Sequence, residues 1–192
     1  MVRYRCTPAL ALLAVTFAVL ANAQTGKTFP SDDEINLVLT QTERAIQLYK
    51  PLINREETEM GKSYADAVAR DRQVVTALET AVKAFKIKPQ GFNGPLGFAF
   101  FEWLDDASRN ALLCASGAIS SQISAGNTEK ANSLIHLAQN CLDASTLIYT
   151  VSENAGSLYQ RYVDAEQQLA VQATEVAEKC TNILKRNSPI QK

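Results

Sequence analysis

One histidine, His136, and one tryptophan, Trp103, stand in a chain of 192 residues. A lone imidazole cannot assemble a histidine-rich metal site. Neither Cys-x-x-Cys-His nor the Glu-x-x-His pair occurs, so haem attachment and di-iron chemistry find no ligands. Gly-rich phosphate loops and nucleophile elbows are missing as well. β-branched runs are scarce, which argues against sheet. Lysine and arginine number 19 against 20 acids, so there is no basic stripe for nucleic acid. After the first 23 residues no uncharged stretch approaches the ~20 residues that cross a bilayer, which excludes a polytopic membrane protein. These absences predict a protein without cofactor, metal or catalytic site.

What is present begins with a leader. Arg3 and Arg5 precede an apolar run from Pro8 to Leu20, and Ala21-Asn22-Ala23 has the small residues of a cleavage site. Residues 1–23 therefore read as a signal peptide and 24–30 as a short extension. Residues 31–187 read as a helical domain and 188–192 as a disordered tail. The mature chain would work in the periplasm or outside the cell, where thiols oxidise.

From Ser31 onward apolar residues recur at helical spacing. Ser31-Asp32-Asp33-Glu34 is a capping box. Pro51 predicts the end of the first helix, because proline lacks an amide and clashes with the preceding turn. Asn54 then caps a second helix, whose first turn would explain Glu56, Glu57 and Glu59 as acids complementing the helix dipole. Pro89, Gly91 and Gly94 break the pattern before a third helix, and Gly126-Asn127 separates it from a fourth. A fifth is expected from about Ser152, either separate or merged with the fourth. The expected fold is all-α, an up-and-down antiparallel bundle of four to five helices, with a coiled coil as the less favoured reading of the same periodicity.

Cysteine positions select a disulfide. About the Gly126-Asn127 turn, Cys114 and Cys141 fall at heights within ~3 Å of each other, whereas Cys141 and Cys180 are mismatched by roughly 20 Å. Cys114–Cys141 is the predicted bridge. Cys180 is left as a small apolar residue, and a dimer through it is the less favoured alternative.

The segment Lys83–Trp103 breaks the composition, packing Phe92, Phe98, Phe100, Phe101 and Trp103 among glycines. On a helix from Pro95, Phe98, Phe101 and Leu104 share one side while Phe100 and Trp103 point elsewhere. One reading is a plug over the bundle end. Another is a docking surface for a partner, and a third is peripheral contact with a membrane. Asp71 occupies an inward heptad position near Tyr64, making these two the candidate polar site. Glu129 and Asp143 flank His136 at seven residues on either side, a spacing that any polar helix face produces. The expected function is a non-catalytic interaction or inhibitor-like module using residues 87–103. The alternative is a carrier of a small hydrophobic ligand or lipid held between the helices.

Overall fold

The computed structural model describes residues 28–187, with side chains described to residue 182. The predicted leader, most of the extension and the tail lie outside these residues. Four α-helices and no strand occur among the described residues: α1 (Asp32–Met60), α2 (Ala65–Ile87), α3 (Pro95–Ile123) and α4 (Thr128–Asn187). Short 3₁₀ turns, Lys62–Tyr64 and Pro89–Phe92, join α1 to α2 and α2 to α3. None of these helices is long and apolar enough to cross a membrane.

The capping box forms as the sequence predicts. Ser31 N–H donates to Glu34 Oε2 at 2.9 Å, and Glu34 N–H donates to Ser31 Oγ at 3.3 Å. One helix boundary differs from expectation. α1 runs straight through Pro51 and ends at Gly61, whose φ of 82° favours a residue without Cβ. Pro51 is exposed, so the carbonyl it leaves unpaired can meet water, while Tyr49, Leu52 and Ile53 on the other side are buried. Burial of that stripe outweighs the proline penalty of ~3 kcal/mol. Of the two readings of the fourth and fifth helices, the merged one holds, since α4 is continuous from Thr128 to Asn187. Gly156 lies inside it because Phe101 packs there, and an added methyl would sit 3.0 Å from that ring.

Residues Ser31–Tyr159 form one compact unit. Ion pairs fix α1 antiparallel to α2: Glu43 with Lys86, Lys50 with Glu79, and Glu57 with Arg72. α3 and the first half of α4 lie antiparallel along a seam of small residues. There Ser108 Oγ donates to the Ser145 carbonyl at 3.1 Å and Ser145 Oγ donates to the Ser108 carbonyl at 2.8 Å. Cys114 and Cys141 form a disulfide in the same seam, with Cα atoms 6.1 Å apart. The predicted bridge is therefore present. α4 closes the bundle against α1, where Arg55 donates to the Ser133 carbonyl and Ser133 Oγ to Glu59.

The second unit contains the described residues 28–30 and 160–187. Within it the rings of Phe29 and Tyr162 meet at 6.0 Å, and Ala165 is fully buried. Cys180 is a free, exposed thiol rather than a buried apolar residue.

Candidate functional site

The aromatic segment folds mostly inward. Phe85, Phe92 and Phe100 form an edge-to-face triad with centroids 5.4, 5.5 and 6.0 Å apart, and all three are buried. Such pairs add to the burial of three large rings. The triad depends on Gly97: a methyl group there would lie 1.8 Å from the Phe92 carbonyl oxygen. Phe92 and Phe100 are thus core residues and cannot belong to a docking surface. The inward stripe of α3 is Gly97, Phe100, Leu104, Ala107 and Ala111, whereas hydrophobic spacing alone selects Phe98, Phe101 and Leu104. Both registers contain Leu104 and both follow helical spacing. The glycine in the true stripe hides it from a hydrophobicity count.

Three of the five predicted aromatics remain outside the core. Phe98 is 48% exposed and meets Phe101 at 6.4 Å and Tyr159 at 5.7 Å. Trp103 is half-buried on the opposite side of α3. It walls an open trough of about 500 Å³ between α2 and α3. Thr76, Ala77, Thr80, Ala81 and Ala84 line it from α2, Leu96 and Trp103 line it from α3, and Arg72 and Gln73 mark the end nearer the α2 N-terminus. Small side chains on α2 leave room that Trp103 does not fill. No sequence signal besides the tryptophan points to this trough, because alanine and threonine at four-residue spacing read as ordinary helix.

Asp71 is buried, as its heptad position predicts. Its surroundings differ from the prediction. Tyr64 packs with Met60 against Gly117 of α3, while Asp71 faces Tyr49 and Glu56 of α1 and Asn110 of α3. Glu56 is only 2% exposed. It belongs near the end of α1 rather than in the first turn of a second helix, so the dipole account of Glu56, Glu57 and Glu59 fails with the Pro51 boundary. Burial first, and then the neighbouring Asp71, push the Glu56 carboxyl up to about 7. Burial also raises Asp71, against the opposing influence of Tyr49, Glu56, Arg70 and Asn110. The Tyr49 hydroxyl is raised for the same reason, with Asp71 adding to it. Tyr49 and Glu56 lie close enough to Asp71 to alter its titration, yet the contacts fall short of good geometry. The Tyr49 hydroxyl oxygen and Glu56 Oε2 are both buried without a hydrogen-bond partner. Two acids and a phenol thus share one interior site relieved mainly by protonation.

Glu129, His136 and Asp143 are all exposed on α4. No family model, curated protein or solved structure matches this chain.

Proposed function

We propose that this is an exported helical interaction module that receives an apolar anchor of a partner polypeptide in the α2–α3 trough. The observation that carries the reading is where the space lies. Tyr49, Phe85, Phe92, Phe100 and Leu104 are buried inside Ser31–Tyr159, while the trough beside Trp103 opens outward. A carrier of hydrophobic ligand needs a dry enclosed cavity, since pockets of this kind bury most of their ligand. An open trough with an aromatic wall suits a side chain or helix face inserted from another protein, where tryptophan is a frequent anchor. Export is supported by the sequence of residues 1–23 and by the Cys114–Cys141 disulfide, which is consistent with an extracellular location. The contact surface is narrower than residues 87–103, being centred on Leu96 and Trp103 with α2 opposite.

Filling the trough tests this. Ala77→Arg places a long side chain over its floor without touching the buried rings. Pull-down from the extracellular or periplasmic fraction should lose the same band with Ala77→Arg, at unchanged melting temperature, and with Trp103→Ala, which loses packing against the core but should stay folded. Lipid or another small molecule in organic extracts of the native protein, absent from Ala77→Arg, would favour the carrier instead.

A further inference from the structure

The polar site inside the bundle holds more oxygen than its own donors satisfy. Tyr49 and Glu56 reach it from α1, Asp71 from α2 and Asn110 from α3, and Asp71 interacts with each of the other three. Tyr49, Glu56 and Asp71 are all no more than 2% exposed. Within this group the Tyr49 hydroxyl oxygen and Glu56 Oε2 have no hydrogen-bond partner. The cation acting on Asp71, Arg70, stands at the exposed surface, where water screens it. Two buried carboxyls without a buried base are costly unless something neutralises them. A proton on Glu56 is one way to do so, and a metal cation is the other.

We propose that Tyr49, Glu56, Asp71 and Asn110 form a calcium site that ties α1, α2 and α3 together. Nowhere among the described residues do three acids, histidines or cysteines gather to hold a metal, so neutral oxygens complete this donor set. Carboxylate, phenol and amide oxygens are hard ligands, which suit calcium and magnesium rather than zinc or copper. Burial chooses between those two. Magnesium sheds water reluctantly and keeps several waters, for which a site this enclosed is unsuited. Calcium takes its six to eight oxygens from protein in irregular geometry. Two bidentate carboxylates with the Tyr49 and Asn110 oxygens supply about six, the lower end of that range. The double charge of the ion matches the two carboxylates, so neither needs to hold a proton. Glu56 Oε2 and the Tyr49 oxygen each gain the partner they lack. The ligands come from three helices that the bundle already holds side by side, which lowers the cost of assembling them. This site is independent of the trough, and its failure leaves the docking reading untouched.

Calorimetric titration and thermal melts of the chelator-treated mature chain at about pH 8 test the proposal, since protons compete least there. One calcium ion per chain is expected, with a dissociation constant of about 10⁻⁴–10⁻³ M, the range of extracellular calcium modules. Calcium chloride at about 10 mM should raise the melting temperature by roughly 3–10 °C over sodium chloride of equal ionic strength. Magnesium should do much less. Glu56→Gln and Asp71→Asn should each weaken binding by about tenfold or more, because each removes one of two charged ligands. Glu56→Gln keeps its fold without calcium, so it separates lost binding from lost structure. Glu129→Gln, at an exposed acid on α4, should bind as the parent does. A chain that shows neither binding heat nor a melting shift with calcium overturns the proposal. So does calcium binding that survives both Glu56→Gln and Asp71→Asn, or an equal response to magnesium.

Discussion

Glu56 on α1 and Asp71 on α2 bury their carboxyls in one site, and the charge that relieves Asp71 comes from Arg70 at the exposed surface. The ordinary carboxyl value for Glu56 is 4.5, and in the folded chain it is about 7. An acid raised by folding gives its full contribution below the unfolded value and loses it as pH climbs through the folded one. Stability should therefore fall between pH 4.5 and 7 and level off above. The loss is roughly 3 kcal/mol, because each tenfold change in proton affinity is worth ~1.4 kcal/mol. Glu56→Gln removes the ionisation and should flatten that slope, leaving the variant more stable than the parent at about pH 8 and near it in the acid range. Urea unfolding across this pH range reads the difference. A parent whose stability rises from about pH 5 to 8 contradicts the assignment.

The disulfide closes a loop spanning 27 residues of separation across the α3–α4 turn. Replacing both Cys114 and Cys141 by serine should cost about 3–4 kcal/mol in the chain-entropy account. Equilibrium unfolding with and without reductant measures it, and the reduced parent should resemble the double variant.

The aromatic plug separates residues that the sequence alone groups together. Phe100→Ala should destabilise by ~3–5 kcal/mol as a buried ring is lost, whereas Phe98→Ser should stay within about 1 kcal/mol. Gly97→Ala should be as damaging as Phe100→Ala, because its methyl would meet the Phe92 carbonyl. Thermal melts of the three variants rank them. Equal effects at positions 98 and 100 would contradict the register of α3.

Pro51 lies within α1, on its exposed side. Pro51→Ala restores one helical hydrogen bond and relieves the ring clash, so it should stabilise the chain by ~1–3 kcal/mol. A loss of stability in thermal melts would contradict this account of Pro51.

The helical class, the cap at Ser31 and the Cys114–Cys141 pair were legible because each rests on local chemistry or simple height arithmetic. Where long-range packing decides, the sequence misled. Pro51 reads as a terminator until Tyr49, Leu52 and Ile53 are seen to be held on their buried side. That misplaced boundary made Glu56 look like a surface acid in a first turn. Phe98 and Phe100 are equally good core candidates by spacing. Gly97 decides between them through a contact with Phe92, five residues away in sequence and across a turn. Asp71 was recognisable as out of place on its stripe, but its partners come from α1 and α3, which no spacing within α2 reveals.

The trough beside Trp103 carries the functional account, and site-specific photocrosslinking tests it most directly. A photoreactive residue at Thr80, within the trough, is compared with one at Thr40, exposed on α1. In native extracellular or periplasmic fractions the account predicts one polypeptide adduct from position 80, none from position 40, and its loss on Trp103→Ala without loss of folding. Equal labelling from both positions, or an adduct that survives Trp103→Ala, contradicts it.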